Sequence, residues 1–218
     1  LEQLLLFKRT YNQRLSLIII KRIQYMLSNS SLETLFTKAR SQNGWLNKDI
    51  TGEQIHQLYD LLKFGPTSAN CCPARFTFIR TKEAKERLKP YLDSGNINKS
   101  MSAPAVAIIG YDLEFYQKLP FLFPHTNAKS WYEGKEQKIK FTAELNATLQ
   151  GAYFIIAARS IGLDCGPMIG FNKEKLNQEF FPNEKIKSIF ICGIGYGDDT
   201  KVRQRSPRLN FDEACEIL

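Results

Sequence analysis

The amino-acid sequence predicts one α/β or α+β domain built on a mixed β-sheet flanked by helices. Three observations point there. Segments with helical apolar spacing alternate along the chain with short strand-like runs, and such interleaving buries a sheet under helices. Apolar residues make up 43% of the 218-residue chain and charged residues 24%, the composition of a protein with an ordinary core. At this length one domain fits better than two, and the sequence holds neither internal repeats nor low-complexity tracts.

Residues 1–25 stand apart. Lys8, Arg9, Arg14, Lys21 and Arg22 face Glu2 alone, so about half of the net charge of +8 sits in this leader. An Arg-rich, acid-poor leader suits a targeting peptide, a helical extension packed on a partner, or translation from upstream of the true start. Met26 opens an ordinary-looking domain, so residues 1–25 are taken as a leader or non-native extension and 26–218 as the domain.

From Ser31, Leu32, Leu35 and Phe36 recur at helical spacing. Thr51-Gly52-Glu53-Gln54 has the form of a helix start, followed by an apolar face of Ile55, Leu58, Tyr59, Leu61 and Leu62. His56 falls on the other face and reads as a solvated helix residue. Residues 76–80 alternate as a strand, 82–92 form a charged helix and 103–111 a buried strand. Residues 141–161 read as a long helix, buried on most sides over 152–158, with Gly162 as its C-cap. Residues 188–194 make a last central strand. Between 112 and 140 lies an aromatic and proline-rich segment. It reads either as a substrate lid carrying Phe115, Phe121, Phe123 and Trp131 or as a helical excursion packed on the core.

Several function classes are disfavoured. Beyond the leader the excess charge is modest and no Lys/Arg-rich block occurs, which argues against nucleic acid. The longest apolar run, 15–20, is far too short for a membrane span. The five cysteines, Cys71, Cys72, Cys165, Cys192 and Cys215, are odd in number and lack CxxC spacing, so they read as reduced thiols of a reducing, cytoplasmic compartment. With two histidines, neither near a cysteine pair, zinc is a poor fit and no metal is expected. No GxSxG elbow or histidine triad context exists, so a cofactor is expected to carry the difficult step. The run Gly193-Ile194-Gly195-Tyr196-Gly197 follows a strand, but its GxGxG spacing and charged sequel do not make a dinucleotide-binding turn.

What remains is a set of short polar clusters, each suited to one part of a flavin mononucleotide. Arg40-Ser41-Gln42-Asn43 offers a guanidinium, a hydroxyl and amides to a phosphate and its ribityl chain, or is a polar inter-helix loop. Gly65-Pro66-Thr67-Ser68-Ala69-Asn70 makes a rigid loop able to meet the edge of a flat ring, or an ordinary turn. Asn96 and Lys99 precede the strand at 103, in a segment that reads otherwise as a solvated loop, and could reach the pyrimidine end of the ring. Residues 162–171, rich in small side chains, would let backbone approach the ring. Arg203, Arg205 and Arg208 in the tail could complete the phosphate site with Arg40, or be exposed tail charge.

In order, these segments resemble the nitroreductase family of FMN enzymes, most closely its RutE-type branch, the malonic semialdehyde reductases of pyrimidine catabolism. The resemblance rests on NGW at 43–45, GPTSANCCPARF at 65–76, GN at 95–96 with Lys99, APAVAIIGYD at 103–112, LPFLFPH at 119–125, LQGAY at 149–153, GLDCGPMIGF at 162–171, and GYGD with RSPRLNFDEAC near the end. It implies an α+β fold and an intertwined homodimer with FMN at the interface. NADH or NADPH would reduce the flavin and leave, and a small-molecule substrate would then take hydride from N5. Malonic semialdehyde is the expected substrate, a nitro or quinone compound the alternative, and a non-catalytic flavin-binding role the third reading. By position, Arg40 and Ser41 match phosphate and ribityl contacts. Pro66, Thr67, Ser68 and Asn70 match a loop that serves the neighbouring subunit's flavin. Asn96 and Lys99 match pyrimidine-edge contacts, Met168, Ile169 and Gly170 the backbone near N5, and Arg205 and Arg208 a C-terminal phosphate pair. Two departures stand out: Ala39 and Asn43 replace basic residues of the family pattern, and Ile169 stands where many relatives carry an acid.

Overall fold

The computed structural model describes residues 26–218, so the expectation for 1–25 lies outside the described residues. The chain divides into two compact units at Ala39/Arg40. In the first, the Ser28 hydroxyl accepts from the Ser31 N–H and starts α1 (Asn29–Leu32), which widens into a π-turn over Glu33–Thr37. Of its three apolar residues Leu35 is buried, whereas Leu32 and Phe36 are exposed.

The second unit carries α2 (Gly52–Leu62), β1 (Ala74–Ile79), α3 (Lys82–Leu88), α4 (Ser94–Ser102) and β2 (Ala105–Asp112). These are followed by α5 (Leu119–Leu122), α6 (Glu136–Ser160), β3 (Asp164–Met168), α7 (Lys173–Phe180), β4 (Ile186–Gly195) and α8 (Phe211–Ala214). The strands form one sheet in the order β1-β2-β4-β3. All three pairings are antiparallel, which corrects the expected mixed sheet; the parallel element is an isolated bridge between Ser41 and Cys165. Helix–strand alternation does not set strand direction. The excursion through α7 returns the chain to the end of the sheet that it left, so Met168 meets Ile191 and Asp164 meets Gly195.

β2 is buried over all but its last residue, which is why it reads as one apolar run. On one face Ala105, Ala107 and Ile109 pack with Leu58, Leu62 and Phe154 from α2 and α6. On the other, Val106 and Ile108 pack with Leu88, Met168 and Leu176. The predicted capping box is present in full: Thr51 Oγ1 accepts from Gln54 N and Gln54 Oε1 from Thr51 N. Gly162 ends α6 in the left-handed region, at φ 78°, with the Leu163 N–H closing onto Ala158 O.

Elsewhere the boundaries move for local reasons. α3 stops at Leu88 because Pro90 restricts the residue before it, and a 3₁₀ turn follows. α6 starts five residues early, at Glu136 rather than 141. From Gln150 to Arg159 it is buried or half-buried apart from Ala152, whereas before that it leaves Phe141, Leu145 and Leu149 exposed. Asn96 and Lys99 lie in a helix, not a loop. Within 162–171 runs an edge strand that accommodates Pro167 because its outer side is unpaired at that residue, beyond the bridge at Cys165. The 112–140 segment is a chain of short turns packed on the core through Phe115, Leu119, Ala128 and Tyr132. Phe115 is fully buried, edge-on to Tyr132 at 5.0 Å, and is therefore withdrawn from the expected lid surface; Phe121 and Trp131 remain exposed and Phe123 half-exposed.

Candidate active site

The first group of site residues gathers along β3. The bridge from Ser41 to Cys165, with Gln42 N donating to Cys165 O at 2.9 Å, lays Arg40 and Ser41 beside that strand. Arg40 donates from its guanidinium to the carbonyl of Arg203. Lys99 stands on α4, and its carbonyl accepts from Trp45 Nε1 at 2.8 Å. The indole lies over Gly193, where a Cβ would come within 2.7 Å of the ring. That glycine thus seats a tryptophan inside β4 and takes no part in a nucleotide turn. Burial holds the Lys99 ammonium below the ordinary lysine range, and the positive charge of Arg203 adds to the effect. Arg203 therefore links Arg40 and Lys99 into one cationic patch. Among the described residues none of the three has a carboxylate within 4 Å. Like charges that converge without a counter-charge are the ordinary signature of an anion site.

Asn96 and Lys99 are three residues apart on α4 and share its face. Asn96 Nδ2 donates to Gly170 O at 2.7 Å, and Asp93 N donates to the same oxygen at 3.1 Å. The carbonyl of Gly170 is thereby fixed, while its N–H meets no acceptor among the described residues. Ile169 beside it is 77% exposed. Met168 contributes backbone alone, since its side chain is buried with the sulfur accepting from Ser100 Oγ at 3.6 Å. Asn43 is exposed and its side chain makes no contact within this group. Arg208 turns back on its own tail, donating to the carbonyls of Ser206 and Pro207, and Arg205 is exposed.

The second group lies at the opposite edge of the sheet, where the 65–70 loop leads into β1. Three strand spacings of about 4.8 Å, roughly 14 Å, separate the two edges. Here the backbone is strained: Ala69, Asn70 and Cys72 all have φ between 40° and 50°. Left-handed non-glycine residues persist where their surroundings over-determine them. Asn146 Oδ1, buried on α6, accepts from Ser68 N at 2.8 Å. The Tyr153 hydroxyl donates to Pro66 O at 2.9 Å, and Thr67 Oγ1 accepts from Cys72 N at 3.2 Å. Gly65 lies flat against Tyr153, where a Cβ would fall 2.0 Å from a ring carbon. Asn70 Nδ2 donates to Leu122 O at 2.9 Å, which ties the exposed aromatic segment to the loop.

Two residues were not singled out from sequence. Arg203 was one of three tail arginines, with the pair assignment given to Arg205 and Arg208. Asn146 carried a signal, because Thr142, Asn146 and Gln150 are polar at i, i+4, i+8 among Ala143, Ala147 and Gly151, and all three are buried. Among the described residues no helix is long and apolar enough to cross a membrane, and no group of three potential metal ligands occurs.

An α+β sheet with a cationic patch at one edge and a rigid, donor-rich loop at the other describes a class of cofactor-using enzymes. Residues 37–196 match the family profile described as Nitroreductase family. The chain is 55% identical over 196 residues to a protein of Cupriavidus pinatubonensis provisionally named NADH dehydrogenase/NAD(P)H nitroreductase, covering 88% of this chain and all of that one. It is 53% identical to the similarly named HadB of Ralstonia pickettii, with the same coverage of both chains. Among solved structures, the Bacillus subtilis nitroreductase ydfN superposes with a TM-score of 0.79 at 23% identity, over 88% of this chain and all of the other. An Exiguobacterium sibiricum nitroreductase in complex with FMN superposes at 0.77 and 19% identity, over 88% and 99%. The chain belongs to the nitroreductase family, and with it to the FMN-dependent oxidoreductases. The relatives do not single out the malonic semialdehyde branch.

Proposed function

We propose that this protein is a cytoplasmic, homodimeric FMN reductase that uses NADH or NADPH to reduce planar nitro or quinone acceptors. The observation that carries the proposal is the convergence of Arg40, Lys99 and Arg203, without a carboxylate, beside the free N–H of Gly170. That donor set fits FMN: the arginines suit its phosphate, and Lys99, Asn96 and Gly170 suit a flat heterocycle. When bound, FMN supplies hydride transfer through N5, first from the nicotinamide and then to the acceptor in ping-pong order. Arg40, Ser41 and the tail arginines would hold the phosphate end. Lys99 and Asn96 would meet the pyrimidine edge, where positive charge favours the reduced, anionic ring. The Gly170 N–H would face N5.

The 65–70 loop cannot reach the same ring within one protomer if the sheet separates them by about 14 Å. A homodimer resolves this by lending the loop, and the aromatic segment tied to it, to the partner's flavin. Apolar surface supports dimerisation. Phe141, Leu145 and Leu149 form an exposed stripe at i, i+4, i+8 on α6, Phe64 is 81% exposed, and Leu209, Phe211, Ile217 and Leu218 extend exposed along the tail.

Malonic semialdehyde, the substrate first expected, is the weaker fit. Ile169 presents an alkyl side chain where an acid is common, and Phe121, Phe123 and Trp131 add aromatic surface, which suits flat apolar acceptors. The names of the relatives agree. The test is stopped-flow oxidation of the NADH-reduced, FMN-loaded protein by a nitroaromatic, a quinone and malonic semialdehyde. The quinone or nitroaromatic is expected to reoxidise the flavin fastest. Fastest reoxidation by the aldehyde would return the first reading, and a protein whose flavin both NADH and NADPH leave yellow would be a binding protein only.

A further inference from the structure

β3 pairs with β4 only from Ile191 onward, so the outer edge of β4 at Lys187 and Ser188 has no neighbouring strand. α7 covers it instead, and Asn177 Oδ1 accepts from Ser188 N at 2.9 Å. Between this edge, the end of β2 and the side of α6 lies a cavity of about 380 Å³. That is far more than one water needs, about 10–15 Å³, and falls within the range of small-molecule sites, about 300 Å³ and upward. None of its lining residues belongs to either group described above.

Lys140, Lys173 and Lys187 line the cavity, against the single carboxylate of Glu144. Among the described residues none of the three ammonium groups has an acid within 4 Å. Glu174 and Glu184 lie on the far side of Lys187, lining an adjoining cavity of about 280 Å³. Ser188 also lines it, only 4% exposed and with its hydroxyl sealed from solvent. Tyr111 is also buried here, and burial together with the charge of Glu144 pushes its phenol above the ordinary range, so it stays a hydrogen-bond donor.

We propose that this cavity binds a small phosphate-bearing molecule, its phosphate held by Lys140, Lys173 and Lys187. The volume exceeds what a bare phosphate requires, so the group arrives on a short carbon skeleton. The inference does not depend on the proposed flavin site.

Calorimetric titration of the FMN-saturated protein with glycerol phosphate, inorganic phosphate and succinate, at constant ionic strength, tests the proposal. Saturable binding of glycerol phosphate is expected, with succinate weaker. Lys173→Gln with Lys187→Gln should weaken it about tenfold or more, whereas Lys82→Gln, an exposed lysine of α3, should leave it unchanged. Absence of saturable binding, tighter binding of succinate, or full binding by the double lysine variant would overturn the proposal.

Discussion

The two groups of site residues achieve order by opposite means. The cationic group at the β3 edge is held by backbone contacts. Ser41 bridges to Cys165, Trp45 fastens the carbonyl of Lys99, and Asn96 fastens that of Gly170, while the charges of Lys99 and Arg203 repel each other. The 65–70 loop is held by side chains from α6, and it and the following turn carry left-handed backbone at Ala69, Asn70 and Cys72. One region keeps electrostatic energy that an anion would release. The other keeps conformational strain that a rigid frame maintains. Charge suits a phosphate, which needs attraction more than shape; fixed geometry suits a flat ring edge, which needs shape more than charge.

Substitutions can separate the two. The largest effect is expected for Lys99→Ala combined with Arg203→Ala. Losing two charge-assisted contacts of about 1.5–3 kcal/mol each should weaken FMN by several kcal/mol in a fluorescence titration. The apo protein should not lose stability, because a like-charge contact disappears. Lost stability with intact FMN affinity would mean the patch is structural.

Asn146→Ala should act on the other region. It removes the acceptor of the Ser68 N–H from a buried position and should lower unfolding free energy by about 1–3 kcal/mol, as read by denaturant melts. Turnover should fall more than FMN phosphate affinity. Gly65→Ala is expected to be comparable or smaller, about 1–3 kcal/mol, since the added Cβ must push Tyr153 aside. Activity unchanged in both would disconnect the loop from the site.

A smaller effect follows from the lowered pKa of Lys99. As pH rises, Lys99 loses its proton in the folded protein before it does in the unfolded chain, whose ordinary value is 10.5. Its charge therefore opposes folding at pH below the lowered value, and that opposition fades as pH climbs toward 10.5. FMN affinity should move the other way, declining through the same window. Lys99→Met should flatten both profiles relative to the parent, and identical profiles would remove Lys99 from the pyrimidine edge. Smallest of all should be Arg208→Ala, because its guanidinium bonds its own backbone.

Local chemistry was legible where a single segment contains its own cause. The Thr51–Gln54 box, the left-handed turn at Gly162 and the apolar run of β2 each need only neighbours in sequence. The polar clusters could be found for the same reason, because Arg40-Ser41 and Pro66 to Asn70 are unlike their flanks. The helix at Ser94–Ser102 was hidden by its glycine, serine and asparagine content, and only packing of Ile97 and Ser100 under the sheet stabilises it. β3 was hidden by Gly166 and Pro167, which an edge strand tolerates once β4 supplies its ladder.

By itself, then, the sequence determined which residues could carry charge, caps and turns, and the order in which those pieces occur. The tertiary structure decided which of them meet. Three tail arginines look alike in sequence, and only the fold sets Arg203 against Arg40 and Lys99. Two clusters suited to one flavin look like one site, and only the sheet order sets them at opposite edges. The physical reason is range: caps and turns are settled by atoms a few residues apart, whereas convergence depends on strand pairing and core packing across the whole chain.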